Sequence, residues 1–228
     1  TPFEDVDLTI FRENIEGLYS GIESYDERLE IADATARITR SGMERFLRFS
    51  YEYARSTGCE RVTLVHKANI LKLTSGLFLR IGEELAAAYE DLVVDDRIVD
   101  NMCLQLVTQP ASYRCLVTTN LFGDILSDLA AGLVGGLGVV PGANLGDETA
   151  IFEAVHGSAP DIAGENRANP TALIRSAVMM LEHLGEEEAA SQIESALAEQ
   201  YRAGDSLTRD VGGEADTDEM VEALCRRI

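Results

Sequence analysis

Up to about residue 135, short apolar runs that predict strands alternate with amphipathic stretches that predict helices. The run RVTLVH is rich in β-branched residues and predicts a buried strand. A helical pattern that begins at Ser41 and ends at Gly58 precedes it, and the helical stretch SGLFLRIGEELAAAYE follows it. This alternation of the two kinds of element restricts the chain to the α/β class.

Beyond about residue 135, the sequence changes character. A glycine-rich stretch leads to AIFEAVHGSAPDIAGENRANP, which is rich in turn-forming residues and predicts a long loop, and the remainder is mostly helical. This part has too few strand candidates for a sheet of its own. Its helices would then cover a sheet of the first part, or further strands lie outside the sequence. We therefore expect a boundary between residues 1–135 and 136–228.

The balance of charge argues against one broad class of partner. The chain has 19 basic and 40 acidic residues, and its formal net charge is −21. Such a surface repels phosphate backbones, so nucleic-acid binding is not expected. No stretch resembles a signal peptide or a membrane span. The only lysines are Lys67 and Lys72, a bias that suits a salt-rich cytoplasm or a GC-rich genome equally well.

The cysteines show no CxxC or zinc-like spacing, and each sits among apolar neighbours. They are Cys59, Cys103, Cys115 and Cys225. Buried reduced thiols in a cytoplasmic protein are therefore favoured over disulfides or a metal site.

The segment LFGDILSDLAAGLVGGLGVV, residues 121–140, is apolar or glycine except for Ser127 and two aspartates, Asp124 and Asp128. A spacing of four places both carboxylates on one helical face, roughly 6 Å apart. Buried there, they would repel each other unless a divalent cation such as Mg²⁺ or Mn²⁺ lay between them. The alternative is a pair of solvated or helix-capping aspartates. Asp100, at the end of an apolar strand, is a candidate third ligand or a helix N-cap.

Three further side chains could carry chemistry. Lys67 lies at the polar tip of RVTLVHKAN, where a nearby cation would lower its pKa and make it a base; the alternative is a surface lysine. Arg12 could bind a carboxylate through two hydrogen bonds. Tyr19 lies between two glycines and could donate a proton to a carbanion or enolate, although core packing is the simpler interpretation of a tyrosine.

The predicted loop around HGSAPDIAG could approach an anion through its backbone N–H groups. Asp161 within it could accept hydrogen bonds from two ribose hydroxyls and would repel a 2′-phosphate, which favours NAD over NADP. No strand-GxGxxG-helix pattern is present, so a Rossmann domain is not indicated.

Read together, FRENIEGLYSGIE, VHKANIL, VDNMCLQLV, NLFGDILSDLAAGL and IFEAVHGSAPDIAGENRANPTALIRSAVMMLEHLG resemble the β-decarboxylating dehydrogenases. That family includes isocitrate, 3-isopropylmalate, homoisocitrate and tartrate dehydrogenases. The segments ENIEGLYSGIE and SLTRDVGGEADTDEM are most similar to NAD-dependent isocitrate dehydrogenases. The resemblance implies oxidative decarboxylation of a 2-hydroxy acid, with isocitrate to 2-oxoglutarate as the first choice. A sibling activity on 3-isopropylmalate or homoisocitrate, or a regulatory non-catalytic subunit, are the alternatives.

The resemblance also implies an isopropylmalate dehydrogenase-like two-domain α/β fold, not a Rossmann fold, whose N-terminal strands and helices lie outside the sequence. Residues 1–135 would form the smaller domain, with a dimer arm at about 12–40, where SYDERLEIADATARITR itself predicts a protruding hairpin. Residues 136–228 would be the C-terminal part of the larger, cofactor-binding domain.

Residue by residue, the family's pattern implies the following roles. Tyr19 would be the general acid and Lys67 the base, while Arg12 and Asn69 would bind substrate. Asp124 and Asp128 would hold Mg²⁺ or Mn²⁺ together with Asp100 of a twofold mate, so that a homodimer or higher oligomer shares its active sites. The NAD site would be lined by Glu153, His156, Gly157, Ser158, Ala159, Asp161 and Asn169.

Overall fold

The computed structural model describes residue 3 and residues 5–228, and it divides into two compact units. The sheet unit ends at Leu133 and the helical unit comprises Val134–Ile228. The elements of the first are β1 Thr9–Arg12, β2 Glu23–Asp26, β3 Ile31–Ala34, α1 Arg40–Ser56, β4 Arg61–His66, α2 Thr74–Ala86, β5 Val93–Ile98, α3 Val99–Thr108, β6 Cys115–Thr118 and α4 Asn120–Val134, whose last residue lies past the boundary. The elements of the second are β7 Pro141–Leu145, β8 Ala150–Ala154, α5 Thr171–His183, α6 Glu187–Ala203 and α7 Thr217–Cys225.

Four strands of the sheet unit form a parallel sheet in the order β1-β6-β4-β5. Arg12 lies opposite Thr118, and His66 lies opposite Ile98, at the ends of their strands. Parallel pairing brings the carboxyl ends of all four strands to one edge. The sheet and its covering helices confirm the α/β class.

The central strand β4 shows how the sheet is covered. Val62 and Leu64 belong to an apolar cluster that contains the buried faces of α1 and α2. Val65 belongs to a second cluster, built from α3, α4 and β6. Alternate residues of a strand point to opposite faces, so helices lie on both sides of the sheet. This explains why RVTLVH is apolar without interruption.

Helix α1 is amphipathic as predicted. Phe46 and Tyr53 are partly buried against the core cluster, and the apolar side chains that the helix buries fully are Met43, Leu47, Tyr51 and Ala54. Phe49 is 41% exposed and packs edge-on against Phe11. The fully buried side chains, including the Tyr51 ring, pack in the core beside the sheet, and the Phe49 ring lies at its margin.

The predicted arm is a two-stranded antiparallel hairpin formed by β2 and β3. All eight residues of the two strands are exposed. The Asp26 carboxylate accepts hydrogen bonds from the backbone N–H groups of Arg28 and Leu29 and so closes the turn. The arm's role in dimerisation stays a prediction.

The helical unit contains an antiparallel hairpin of β7 and β8, against which α5 packs. The sequence places Ala150–Ala154 in a loop, so this part of the loop prediction was wrong. The hydroxyl of Ser176 donates to the Glu153 carbonyl and accepts from the Gly142 N–H, so α5 holds both strands. Within the described residues, no helix is both long enough and apolar enough to cross a lipid bilayer.

Candidate active site

The carboxyl edge of the parallel sheet collects residues that are distant in sequence. Arg12 ends β1, Lys67 follows β4, and Asp100 follows β5 in the first turn of α3. Helix α4, which carries Asp124, begins two residues after β6. In open α/β sheets this edge is where ligands bind.

Arg12 and Asp124 form an ion pair, with 2.7 Å between Nη1 and Oδ1. Both side chains are partly exposed, at 32% and 47%, and such pairs contribute about 0–1 kcal/mol to stability. The pair therefore contributes more to the orientation of the two side chains than to the stability of the fold.

Asn120 is a site residue that the sequence analysis missed. It lies one helical turn before Asp124, and its Oδ1 accepts hydrogen bonds from Nε and Nη2 of Arg12 at 3.1 and 2.8 Å. Only 2% of Asn120 is exposed. The available signal was the spacing of Asn120, Asp124 and Asp128, which recurs every four residues on one helical face.

Tyr19 lies in a 3₁₀ turn between Gly17 and Gly21, both of which have positive φ. The turn leaves the phenol 53% exposed and lets its hydroxyl donate to Oδ2 of Asp124 at 3.0 Å. The Arg12 guanidinium lies 5.3 Å from the ring centroid. The hydrogen bond to Asp124 is the largest cause of a raised Tyr19 pKa, because it stabilises the neutral phenol.

Lys67 forms an ion pair with Asp100, with 2.5 Å between Nζ and Oδ1. The hydrogen bond from Lys67 is the main reason why the pKa of Asp100 is lowered. Asp100 lies in the first turn of α3 and is not its N-cap, which is Ile98. The alternative interpretation of Asp100 as an N-cap is therefore wrong.

His66 is buried at the end of β4, and hydrogen bonds engage both of its ring nitrogens. Nδ1 accepts from the Ala68 N–H at 2.9 Å, so Nε2 carries the proton and donates to Asp96 at 2.9 Å. The Lys67 carbonyl accepts from the Ile70 N–H in the same turn. His66 is thus a strand-end histidine with both ring nitrogens hydrogen-bonded, and it fixes the turn that carries Lys67 and the exposed Asn69.

The two aspartates of α4 are less enclosed than their apolar surroundings suggest. Asp124 is half-buried, and Asp128, one turn further on, is exposed. No group of three His, Cys, Asp or Glu side chains suited to a metal occurs among the described residues. Hard carboxylate oxygens at this spacing still match the donors that Mg²⁺ and Mn²⁺ prefer. A third carboxylate from a partner remains a prediction.

The residues predicted to line the cofactor site lie in the helical unit, at the end of β8 and in the segment before α5. Asp161 is in an exposed 3₁₀ turn, and Ala159 before it adopts a left-handed conformation with φ 43°, which costs a non-glycine residue about 1–2 kcal/mol. Gly157 has open space around its Cα, and the side chain of Glu153 accepts from Asn144. His156 contacts its neighbour through Nδ1 and the Gly157 carbonyl, and Ser158 is exposed.

Asn169 differs from the other predicted cofactor residues because it is only 8% exposed. Its Oδ1 accepts from the Thr171 N–H at 2.9 Å, and its Nδ2 donates to Asp210 at 2.9 Å. Asp210 also accepts from the Thr208 hydroxyl. The side chain of Asn169 therefore ties the start of α5 to the segment before α7, and its backbone is what remains for a ligand.

Comparison with known proteins identifies the family. The model of the isocitrate/isopropylmalate dehydrogenases matches residues 1–224. The chain belongs to this family. A solved isocitrate dehydrogenase from Methylococcus capsulatus is 55% identical and superposes with a TM-score of 0.97, over 100% of this chain and 68% of that one. The predicted family and its fold class are confirmed.

Two curated relatives represent the two activities in the family name. The mitochondrial NAD isocitrate dehydrogenase subunit alpha of Macaca fascicularis is 47% identical over 100% of this chain and 66% of its own length. The 3-isopropylmalate/3-methylmalate dehydrogenase of Methanocaldococcus jannaschii is 52% identical over 98% of this chain and 68% of its own length. The chain thus spans about two thirds of the length of these relatives.

The remaining sequence expectation concerns the cysteines. All four are free thiols. Cys59 and Cys115 are buried and Cys103 is intermediate, whereas Cys225 is exposed. Burial is the main reason why the pKa of Cys115 is raised. The prediction of buried thiols is confirmed for Cys59 and Cys115 and was wrong for the exposed Cys225, while Cys103 is partly buried.

Proposed function

We propose that this chain provides the catalytic residues of an NAD-dependent dehydrogenase that converts isocitrate to 2-oxoglutarate and CO₂, with Mg²⁺ or Mn²⁺. The observation that carries the proposal is the cluster at the carboxyl edge of the sheet. Arg12, Tyr19 and Asp124 contact one another there although Arg12 and Asp124 are 112 positions apart. Oxidative decarboxylation requires a cation that binds the substrate carboxylate, a proton donor and a metal ligand.

The chain's residues divide the proton transfers between them. Lys67 takes the hydroxyl proton of the 2-hydroxy acid while hydride leaves C2, and the product is a β-keto acid. Once CO₂ has left, Tyr19 gives its phenolic proton to the carbon that carried the carboxylate. Its raised pKa keeps that proton available at neutral pH. Arg12 holds a substrate carboxylate during these steps.

A bound Mg²⁺ or Mn²⁺ would supply a Lewis acid for the oxygen on which negative charge develops, and Asp124 and Asp128 are the residues of this chain that would hold it. A bound NAD⁺ would supply the hydride acceptor. The segment from Glu153 to Asn169 would bind its adenosine part, with the exposed Asp161 accepting from ribose hydroxyls. Asn69 would contact substrate and the nicotinamide ribose.

The assembly belongs to the proposal. Lys67 and Asp100 pair with each other and are not among the contacts of Asp124. We therefore expect each of them to serve the active site of a twofold mate, in a homodimer or a higher homo-oligomer. A cytoplasmic location also stays a prediction, since several relatives are named as mitochondrial proteins.

A second candidate activity is supported by the 52% identity to a 3-isopropylmalate/3-methylmalate dehydrogenase. The chemistry at C2 and at the departing carboxylate is the same for both substrates, so the described cluster serves either. A regulatory, non-catalytic subunit is less well supported, because Tyr19, Lys67 and the three aspartates are all present.

The test is a panel of 2-hydroxy acids offered to the full-length protein with NAD⁺ and Mn²⁺. We expect turnover of isocitrate, its loss on chelation of the metal, and its loss in Asp124→Asn. Asp91→Asn is the matched control, since Asp91 also pairs with an arginine, Arg55, at 2.9 Å but far along the sequence from the cluster. Turnover of isopropylmalate without isocitrate would select the second candidate, and near-normal rates in Asp124→Asn would refute the metal assignment.

A further inference from the structure

We propose that Asn120 is a positioning residue, which orients the Arg12 guanidinium for the substrate carboxylate; this inference rests on the proposed function. Asn120 touches Arg12 and is placed to act through it, because only 2% of the residue is exposed. Its side chain faces the arginine and is almost withdrawn from solvent.

The contact is made along one edge of the guanidinium. Oδ1 of Asn120 accepts from both Nε, at 3.1 Å, and Nη2, at 2.8 Å. One oxygen that receives two hydrogen bonds fixes the plane of the group as well as its position. A lysine could not make this contact, since it has no planar pair of donors.

The surroundings of Arg12 leave little freedom for another conformation. A Cβ atom on Gly123 would lie 2.5 Å from Cγ of Arg12, so the arginine stem rests directly on the first turn of α4. The Tyr19 ring lies 5.3 Å from the guanidinium carbon. Asn120 and Asp124 lie one helical turn apart on the same face of α4. Together with Gly123 and Tyr19 they form the surroundings that we call the Arg12 cradle.

The N–H donors of Arg12 that the cradle leaves unused indicate which ligand it can bind. A guanidinium has five N–H donors, and the three hydrogen bonds to Asn120 and Asp124 use Nε, one N–H of Nη2 and one of Nη1. These three bonds leave one N–H on each terminal nitrogen, and Tyr19 also interacts with the guanidinium. The N–H groups that stay available can bind a substrate carboxylate.

The acceptor is a neutral amide, and this has an electrostatic consequence. Asp124 already lowers the net charge around Arg12. A second carboxylate at position 120 would reduce the attraction for an anionic substrate and would repel Asp124. An amide oxygen holds the guanidinium without removing its charge, so Arg12 stays attractive to a carboxylate.

The experiment is a double-mutant cycle in the full-length protein. Asn120→Leu, which keeps the volume and removes the acceptor, should raise the KM for substrate by about 10- to 100-fold with a smaller change in kcat, since hydrogen bonds to charged groups are worth that factor. In an Arg12→Lys background the same change should alter KM by less than about two-fold, because lysine presents no edge to Asn120. The calorimetric dissociation constant of the substrate without NAD⁺ should follow KM.

Tyr51→Phe is the control for lost stability, since it removes a buried hydrogen bond to the Gly82 carbonyl and should leave KM unchanged. Asn120→Ser enters the same cycle and decides the question if Asn120→Leu lowers the folded fraction. An unchanged KM in Asn120→Leu, or an equal increase in both backgrounds, overturns the positioning role alone. Absence of turnover by the wild-type protein across the panel refutes the proposed function, and this inference with it.

Discussion

At the scale of single residues, Asp124 has two contacts that serve different purposes. It pairs with Arg12 and accepts the proton of Tyr19. The first contact orients a cation, and the second raises the pKa of the phenol. A substitution of Asp124 should therefore change both the orientation of Arg12 and the pKa of Tyr19.

The first prediction concerns the titration of Tyr19 in Asp124→Asn. The carboxylate stabilises the protonated phenol, so its replacement by an amide should lower the Tyr19 pKa towards the ordinary value of about 10. NMR with ¹³Cζ-labelled tyrosine, assigned by Tyr19→Phe, would measure the shift. A Tyr19 pKa that does not fall would show that Asp124 is not the cause.

The second prediction concerns the choice between NAD and NADP. Asp161→Lys combined with Ile162→Tyr should shift the ratio of kcat/KM values towards NADP, because a cation replaces a carboxylate beside the ribose. Asp147→Lys, in another exposed loop of the helical unit, makes the same change of charge and should leave the ratio unaltered. A ratio that moves equally in both variants would point to net charge alone.

The sequence predicted residue types better than it predicted contacts. Arg12, Tyr19 and Asp124 were each a candidate, the last two with a competing structural interpretation, and only the fold shows that they touch. Asn120 was missed because an asparagine at a helix start usually caps the helix. Here its side chain points instead to an arginine 108 positions away.

At the scale of elements, α4 contains two glycines with opposite surroundings. Gly123 faces the Arg12 stem, whereas nothing lies within 4 Å of a Cβ added at Gly132. Both belong to one helix, so helix propensity acts on them equally and only the neighbours differ.

The third prediction uses this pair. Gly132→Ala should raise the free energy of unfolding by about 0.5–1 kcal/mol and leave activity unchanged. Gly123→Ala should displace Arg12 and weaken substrate binding by about ten-fold or more, as expected when a charged hydrogen bond is lost. Urea unfolding and steady-state kinetics of both variants would measure this. Equal effects of the two substitutions on substrate KM would contradict the described cradle.

Elements with strong periodicity were predictable, and one hairpin was not. The helix α5 and its flanking Pro170 and Gly185 follow directly from the pattern of the sequence. Strand β7, Pro141–Leu145, has no β-branched residue and begins with proline, so local propensity argues against it. The hydrogen bonds that Ser176 of α5 makes to both strands stabilise the hairpin despite this low propensity.

At the scale of the whole molecule, the main feature is the excess of negative charge. With 40 acidic and 19 basic residues, the net charge of −21 is self-repelling, and the ion pairs of the described residues are mostly exposed. Raising the salt concentration weakens both, because the Debye length falls from about 10 Å at 0.1 M to about 3 Å at 1 M. Because acidic residues are in excess, the repulsion that salt removes should exceed the attraction that it removes, so salt should stabilise the fold.

The fourth prediction follows. Between about 0.1 M and 1 M KCl the melting temperature should rise, by about 2–4 °C for each kcal/mol of repulsion removed. Differential scanning calorimetry would measure it, with a neutral solute of equal osmolality as the control. A melting temperature that stays constant or falls with KCl would show that the exposed ion pairs outweigh the net charge.

The fold class could be anticipated because apolar runs and amphipathic stretches alternate along the chain. The order of strands could not, because nothing local in TIFR specifies that β1 pairs with β6. That choice is made by burial over the whole unit, between residues that the sequence separates widely.

The pairing of β1 with β6 has a consequence for how the protein is made. Strand β1 leaves the ribosome before its partner β6 exists, because Thr9 lies opposite Cys115. At a translation rate of about 5–20 residues per second, the nascent strand waits roughly 5–20 s with its backbone hydrogen-bonding groups open to wrong partners. Its apolar side chains are then exposed as well, so a chaperone that shields the segment around β1 would matter most during that interval.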